Sequence, residues 1–325
     1  MDNIQRILVT GGSGLVGTAI QSMRVDYPQY EFIFASSKSC NLTDRDQVLA
    51  YIKDCEPDFV LHLASLSGGI GLSTHYPATI LRDNVLMNIF VLEASRILGV
   101  KKIIMTLSTG MYPAKVVNPI REEYIHEGYP HQSNYSYAFA KRLVDPMIKA
   151  YRAEYGLKVI GLIPNGIFGE NDCFNFDDAN MLAALIRRFH EHRNDNEPIV
   201  VWGDASPLRE YTYAKDIARA YMWCLENYDD EQILHIGTTE EHSVKEIAFM
   251  IADTLQIPRE RIVFDTTKPS GQLRKSTDNS RFISLSRFQY TPFRVALENT
   301  IRWYEETSEC NPCSLRISSK IKQTV

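Results

Sequence analysis

The stretch VTGGSGLVG, at residues 9–17, decides the fold, because it joins a short apolar run to a segment with helical periodicity. Its glycines permit a tight turn and a close approach of backbone to ligand, and the helix that follows presents unpaired N–H groups at its start. This order of strand, turn and helix predicts a binding loop for the pyrophosphate of a dinucleotide. The residues expected to line the loop are Gly11, Ser13, Gly14, Leu15, Val16 and Gly17.

Apolar runs alternate with helical patterns through the first half of the chain. This rhythm predicts an α/β fold, a doubly wound parallel (Rossmann) sheet with a smaller C-terminal α/β substrate lobe. We expect a Rossmann domain over residues 1–170, an interwoven substrate lobe over 171–308 and a polar tail over 309–325. Expected strands lie at 6–10, 31–36, 58–65, 101–108, 157–164, 198–203 and 261–265, and expected helices at 77–100, 136–156, 180–193, 214–227 and 243–256.

The composition is that of an ordinary globular protein, with 44% hydrophobic and 23% charged residues among 325. A net charge of −5 gives no electrostatic support for nucleic-acid binding. No apolar run approaches the ~18 residues of a membrane span, and no signal-peptide core precedes the first strand, so we expect a cytoplasmic protein. A C-x-x-C pair, Cys310 and Cys313, lies in the polar tail without a second pair at metal spacing, and we expect no metal site.

The end of the second strand indicates which dinucleotide binds. NAD enzymes usually place a carboxylate there for the ribose hydroxyls, and this strand ends without one. Ser36, Ser37 and Lys38 offer hydroxyls and an ammonium to a 2′-phosphate, which favours NADPH over NADH, although Lys38 can also be read as an exposed loop lysine. The ends of two further strands supply the remaining expected cofactor contacts, Leu63, Ala64 and Pro164.

A tyrosine and a lysine four residues apart, Tyr137 and Lys141, share one helix face and are the candidate catalytic pair. A nearby ammonium stabilises a phenolate and lowers its pKa, which suits proton transfer at neutral pH. Ser108, at the end of the fourth strand, is placed to hydrogen-bond the same substrate oxygen. Beside a nicotinamide, the three predict reduction of a carbonyl, and Tyr137 and Lys141 are also expected to contact the cofactor.

With these residues in view, the chain resembles the extended short-chain dehydrogenases/reductases and, among them, the GDP-L-fucose synthases, which are 3,5-epimerases and 4-reductases of a GDP-4-keto-6-deoxy sugar. The resemblance runs from about residue 5 to 305 and implies that Ser108, Tyr137 and Lys141 form the reductase triad. It also implies a homodimer through the helices near 77–98 and 135–155. The stretches that carry it are GGSGLVG, SSKSCNLTD, LASLSGGIGLSTHYP, SNYSYAFAKR, ALIRRFHEH, VVWGDASPLREYTY and FDTTKPSGQLRK. The residues that it assigns to the GDP-linked keto sugar are Arg187, Trp202, Arg209 and Lys275, with Asn165 and Asn180.

The chain departs from this family where epimerisation needs an acid and a base. The family's cysteine two residues after the triad serine is Gly110 here, and its histidine before the RRFHE helix is Asn180. Neither glycine nor a neutral amide can exchange a proton near neutral pH. We therefore expect an NADPH-dependent 4-keto reductase of a GDP-deoxyhexose or GDP-heptose that lacks epimerase activity, unless Cys173 or His75 restores the acid–base group.

Three other functions stay open from the sequence. One is the full bifunctional epimerase/reductase, and another is a nucleotide-sugar 4-epimerase or 4,6-dehydratase with tightly bound NAD. A dehydratase typically has Asp-Glu after the fourth-strand Ser or Thr, and STGMYP (108–113) has none. The third is a non-catalytic dinucleotide sensor, but such proteins usually lose the Tyr or Lys that this chain retains.

Overall fold

A six-stranded parallel sheet, with strand order β2-β1-β3-β4-β5-β9, lies at the centre of the computed structural model, which describes residues 4–68, 70–268 and 273–317. This is the doubly wound Rossmann arrangement that the sequence predicts. Part of the FDTTKPSGQLRK stretch, at 269–272, lies outside the described residues. The strands of the sheet are β1 (Gln5–Thr10), β2 (Tyr30–Ala35), β3 (Phe59–His62), β4 (Lys102–Thr106), β5 (Lys158–Ile163) and β9 (Leu234–His235).

Both faces of the sheet are covered, so its strands are apolar on both sides. In β1, Ile7 and Val9 pack into one apolar cluster and Leu8 into another on the opposite face, as the alternation of a strand requires. One face carries α1 (Leu15–Met23) and α8 (Ala214–Asn227). The helices of the other face are α2 (Arg45–Cys55), α4 (Pro77–Ile97), α5 (Tyr135–Arg142) and α6 (Val144–Tyr155), and the short α3 (Ile70–His75) precedes α4.

The helix predicted over 136–156 is two helices, α5 and α6, that meet at Leu143. Pro146 is the cause, because its ring nitrogen cannot donate to the carbonyl four residues earlier, and proline is tolerated only in the first turn of a helix. The break leaves α5 as a short, separate helix that carries Tyr137 and Lys141.

The second half builds two small sheets around its own apolar cluster, one ordered β10-β8-β6 and the other β11-β7. Two of its elements, α8 and β9, instead complete the central sheet, since β9 pairs with β5 and α8 packs against α1. The remaining elements are β6 (Gly166–Phe168), α7 (Met181–Glu191), β7 (Ile199–Trp202), β8 (Leu208–Tyr213), β10 (Glu241–Ser243), α9 (Val244–Thr254), β11 (Ile262–Asp265), α10 (Ser280–Ser286) and α11 (Phe293–Cys310).

The C-terminal segment folds back onto the second half after α11. A 3₁₀ turn at Pro312–Ser314 leads to Leu315, whose side chain is buried in the apolar cluster. Cys310 and Cys313 are both exposed free thiols. Across the described ranges, His, Cys, Asp and Glu side chains form no group of three that could hold a metal ion. Within the same residues, no helix combines the length and the apolar character that crossing a bilayer requires.

Candidate active site

A cleft of about 940 Å³ lies at the carboxyl ends of β1, β3, β4 and β5, where ligands bind in doubly wound sheets. Its opposite wall comes from the second half of the chain. Most of the residues predicted from the sequence meet in this cleft. Those that line it are Gly11, Gly14, Leu15, Val16, Gly17, Leu63, Ser108, Tyr137, Lys141, Pro164, Asn165, Asn180, Arg209 and Lys275.

The glycine loop is shaped by contacts that admit no side chain. Gly11 has φ +72°, and a Cβ on Gly17 would lie 2.5 Å from the Gly11 carbonyl oxygen. Gly14 precedes α1 without a side-chain cap, so the first N–H groups of α1 remain available to a ligand. The Gly12 N–H donates to the Ala35 carbonyl at 2.8 Å and holds the loop against the end of β2. This tight loop against an uncapped helix start fits the pyrophosphate of a dinucleotide.

The turn after β2 extends this site beyond the cleft. The Lys38 N–H donates to the Ser36 hydroxyl at 3.3 Å, and Ser37 and Lys38 are exposed. Because Gly12 bonds to Ala35, the turn lies next to the glycine loop, where the adenosine ribose of a dinucleotide is expected. Five of the predicted cofactor residues therefore adjoin the cleft without lining it: Ser13, Ser36, Ser37, Lys38 and Ala64.

The predicted catalytic pair lies on α5 and faces the end of β4. The Lys141 ammonium donates to the Thr106 carbonyl at 2.8 Å and lies 5.9 Å from the centre of the Tyr137 ring. Ser108, two residues after β4, caps a 3₁₀ turn by accepting from the Gly110 N–H at 3.2 Å. The Tyr137 and Ser108 hydroxyls lie within hydrogen-bond reach of each other in the cleft, so both can bond to one carbonyl oxygen.

Burial dominates the electrostatics of this pair. It raises the pKa of Tyr137, against hydrogen bonds with Ser65 and Ser108 that lower it. Burial also lowers the pKa of Lys141 to about 8. In the protein without cofactor, the net shift of the Tyr137 pKa is therefore upward, because desolvation outweighs the two hydrogen bonds.

Ser65 is a site residue that the sequence analysis missed. It follows β3, lines the cleft and hydrogen-bonds with Tyr137. Its hydroxyl donates to the Asn84 side-chain oxygen at 2.9 Å, and the Asn84 amide in turn donates to the Ile80 carbonyl at 2.8 Å. The available signal was its position: Ser65 follows β3 just as Ser108 follows the neighbouring β4.

Two of the predicted cations, Arg209 and Lys275, lie on the wall from the second half. Arg209 lies on β8, and burial lowers its pKa. The pKa of Lys275 is lowered to about 8, first by burial and then by the charge of Arg209. Two like charges held together in a half-buried cleft indicate an anionic ligand.

Glu210 follows Arg209 on β8 and forms hydrogen bonds that join residues of this wall to one another. It accepts from the Asn165 amide and from the Thr277 hydroxyl, each at 2.8 Å. Burial raises the pKa of Glu210 to about 7, despite these donors. Asn165 is thus held in place by a buried network at the edge of the cleft.

Comparison with known proteins agrees with this geometry. Residues 7–237 match the model of the NAD dependent epimerase/dehydratase family. The chain belongs to this family. Membership confirms the predicted Rossmann fold and the class of dinucleotide-dependent enzymes.

Relatives within the epimerase/dehydratase family cover almost the whole chain. A GDP-L-fucose synthase from Dictyostelium discoideum is 33% identical over 308 residues, which is 93% of this chain and 96% of that protein. The crystal structure of a GDP-L-fucose synthetase from Naegleria fowleri bound to NADP has a TM-score of 0.90 at 34% identity, covering 97% of this chain and 96% of that one. A GDP-mannoheptose C4 reductase from Campylobacter jejuni shares the fold, with a TM-score of 0.85 at 24% identity, over 94% of this chain and 99% of that one.

Gly110 and Asn180, the departures from the GDP-L-fucose synthase pattern, both line the cleft of this family member. A Cβ on Gly110 would lie 2.9 Å from the Asn134 side-chain nitrogen, and Asn134 accepts from the Ser73 hydroxyl at 3.3 Å. An amide therefore takes up the space beside Gly110. Asn180 precedes α7, exposed and without a side-chain capping bond.

Other titratable side chains line the cleft in place of that pair. Cys173 is among them and is buried. His75, at the end of α3, does not line the cleft. The acidic and histidine side chains that do are His131, Asp172, Asp178 and Glu210.

Two residues assigned to the GDP end lie outside the cleft lining. Arg187 donates to Glu191 at 2.7 Å and to the Phe174 carbonyl at 2.9 Å. Trp202 ends β7 with 58% of its surface exposed, and the Lys268 ammonium lies 5.9 Å from its ring. Arg274 and Arg316, by contrast, line the cleft although the sequence analysis did not select them.

Proposed function

We propose that the protein is an NADPH-dependent reductase of the C4 ketone of a GDP-4-keto-6-deoxy sugar or a GDP-4-keto-heptose, without 3,5-epimerase activity. It would act in nucleotide-sugar biosynthesis for cell-surface glycans. The observation that carries the proposal is that Ser108, Tyr137 and Lys141 share one cleft with Gly110 and Asn180. The residues expected to reduce the ketone are present. The two positions that hold the epimerase acid and base in the resembling family carry no titratable side chain here.

The residues fit a dinucleotide, since the space beside Gly17 is closed to any side chain and α1 begins uncapped. NADPH, when bound, supplies the hydride that reduces the carbonyl carbon. Tyr137 donates the proton to the carbonyl oxygen, and Ser108 hydrogen-bonds the same oxygen and orients it. Lys141, anchored on the Thr106 carbonyl, places a positive charge beside the phenolate that forms.

The choice of NADPH rests on the turn after β2, where hydroxyls and the Lys38 ammonium stand in place of a carboxylate. The NADP bound to the Naegleria fowleri relative supports the same choice. The choice of a GDP-linked substrate rests on Arg209 and Lys275, whose charges suit a diphosphate, and on relatives named as GDP-L-fucose synthases.

The reductase activity is tested by NADPH absorbance at 340 nm with a series of GDP-4-keto sugars. Stoichiometric loss of NADPH with one of them, and reduction at C4 seen by NMR of the product, is the expected result. A nucleotide-sugar 4-epimerase with bound NAD, or a dinucleotide sensor, would instead leave NADPH unconsumed.

The absence of epimerase activity is tested separately by proton exchange. Incubation of the enzyme with a GDP-4-keto-6-deoxy sugar and NADP⁺ in D₂O, without a hydride donor, should give no deuterium at C3 or C5 above a no-enzyme control, because Gly110 and Asn180 supply no base. Exchange at a rate comparable to turnover would contradict this part of the proposal.

The second candidate function is the bifunctional 3,5-epimerase/4-reductase of the resembling family. Cys173 favours it, because this thiol lines the cleft while the usual pair is missing. Under this alternative, deuterium enters at C3 or C5, and Cys173→Ser abolishes that exchange while C4 reduction continues. Exchange that persists in Cys173→Ser would point to Asp178 or His131.

The homodimer implied by the resemblance remains a proposal. Exposed apolar side chains on the helices concerned, such as Leu81 on α4 and Tyr155 on α6, are consistent with it. Sedimentation equilibrium of the purified chain would give the number of copies.

A further inference from the structure

The C-terminal segment brings an arginine, Arg316, into the cleft. After the 3₁₀ turn at Pro312–Ser314, the chain runs parallel to the loop that follows β6 and forms a β-bridge between Cys173 and Arg316. Both residues of this bridge line the cleft. A segment that reads as a polar tail in the sequence thus forms part of the ligand-binding wall.

The backbone holds this segment without help from the arginine side chain. The Phe174 N–H donates to the Arg316 carbonyl at 2.9 Å, and the Asn175 side-chain amide donates to the Ile317 carbonyl at 2.6 Å. Leu315 is buried in the apolar cluster of the second half. Substitution of the Arg316 side chain therefore leaves the course of the chain intact.

The side chain of Arg316 is oriented by a backbone carbonyl. It donates to the Asn171 carbonyl at 3.3 Å, and no ion pair between described residues includes it. Arg187 contacts the same loop but pairs with Glu191 and lies outside the cleft lining. Both arginines contact the loop after β6. Arg316 is the one of the two that lines the cleft, so its charge can act on a ligand there.

Arg316 lines the same cleft as Arg209 and Lys275. The Cys173 N–H donates to Asp172 at 2.7 Å, and Asp172 also lines the cleft. Arg209 on β8 lines the same cleft, and its charge adds to burial in lowering the pKa of Lys275, which lines it too. Arg274 also lines the cleft but pairs with Glu241. The carboxylates of the same lining are Asp172, Asp178 and Glu210, and Glu210 is bonded to Asn165 and Thr277.

We propose that Arg316 binds the diphosphate of the nucleotide-sugar substrate together with Arg209 and Lys275. The inference rests on the proposed function, because it takes a GDP-linked sugar as the ligand. The planar guanidinium presents paired N–H donors that match phosphate oxygens, and three cations that line one cleft can offset the two charges of a diphosphate. The C-terminal segment then supplies one of the residues that bind the substrate.

The test compares GDP and guanosine, which differ only in the diphosphate, in calorimetric titrations with the NADP⁺-loaded enzyme. Arg316→Ala should weaken GDP about tenfold or more, as expected for loss of a charge-assisted hydrogen bond to phosphate, and leave guanosine and NADPH binding unchanged. The GDP affinity of Arg316→Lys should lie between those of the wild type and Arg316→Ala, since lysine keeps the charge and lacks the paired N–H donors of the guanidinium. Arg302→Ala, an exposed arginine on α11, is the matched control and should bind GDP as the wild type does.

Each result decides one claim. GDP binding of Arg316→Ala within twofold of the wild type overturns the inference and leaves the proposed function standing. Equal losses for GDP and guanosine also overturn it, since they indicate a structural role. A wild-type enzyme that binds neither GDP nor guanosine overturns the proposed GDP-linked substrate, and this inference with it.

Discussion

Lys275 should make the affinity for a GDP-sugar depend on pH between about 7 and 9. An arginine at the same position would stay charged and would not cause this dependence. Its pKa is lowered to about 8 by burial and by the neighbouring Arg209, so the ammonium loses its proton just above neutral pH. A bound diphosphate stabilises the ammonium and raises that pKa. Binding then takes up a proton, and affinity falls as pH rises through 8.

The size of the effect follows from the fraction of Lys275 that is protonated. With a pKa of about 8, about nine-tenths is charged at pH 7 and about one-tenth at pH 9. If the charged form alone binds well, Kd for a GDP-sugar rises about tenfold between these pH values, which corresponds to about 1.4 kcal/mol. At pH 8, binding takes up about half a proton per site.

The measurement is isothermal titration of GDP-mannose into the NADP⁺-loaded enzyme, from pH 7 to 9, in two buffers of different ionisation enthalpy. GDP-mannose is preferred to GDP because it lacks a terminal phosphate that titrates near pH 7. Lys275→Arg is the control, since arginine stays charged throughout and leaves Lys141, whose pKa is also about 8, unchanged. A wild-type Kd that stays constant over this range, or a slope retained in Lys275→Arg, would refute the reasoning.

Four further predictions follow from the site. Tyr137→Phe should abolish reduction while leaving NADPH affinity near normal, because only the donated proton is lost; unchanged turnover would remove Tyr137 from the mechanism. Lys38→Ala should weaken the binding of NADPH about tenfold, and that of NADH hardly at all, in fluorescence titrations. Equal losses of affinity for the two cofactors would argue against a contact between Lys38 and the 2′-phosphate. Gly17→Ala should lower the melting temperature, corresponding to about 1–3 kcal/mol, and weaken cofactor binding, because its Cβ would lie 2.5 Å from the Gly11 oxygen; an unchanged melting temperature would contradict this. The pKa of Glu210 is raised to about 7, so this group contributes stability that is fully present below its ordinary pKa of 4.5 and is lost as pH rises through 7. The free energy of unfolding of Glu210→Gln should therefore increase, relative to that of the wild type, by on the order of 3 kcal/mol between pH 4.5 and 8. Melting temperatures that change with pH in the same way in the two proteins would count against this pKa.

The first half of the fold was predictable because its signals are local. A parallel strand buried on both faces reads as an unbroken apolar run, and each one in this half lies within two or three residues of its predicted bounds. The glycine loop and the spacing of Tyr137 and Lys141 are equally local. The break between α5 and α6 was harder to predict, since a proline such as Pro146 indicates that a helix is disturbed and not where the next one begins.

The substrate side was less predictable because its residues are brought together by long-range contacts. Arg187 stands four residues before Glu191 on α7, a spacing that favours a pair on the helix surface, and this local signal was overlooked. Arg316 had no local signal at all. It reaches the cleft through a backbone bridge to Cys173, 143 positions earlier in the chain, which a single sequence does not reveal.

The position of α8 and β9 in the central sheet affects how the chain is synthesised. Residues 1–170 leave the ribosome before α8, so apolar side chains on the α1 face, such as Ile20 and Leu61, lack the cover of α8 until residue 227 has emerged. Nascent chains with an exposed apolar face of this kind are prone to aggregate or to engage chaperones. A translational pause between residues 170 and 213 would hold the chain with a complete glycine loop and an uncovered sheet. The nucleotide-binding half is therefore not a module that can be cut out at residue 170 or exchanged for another.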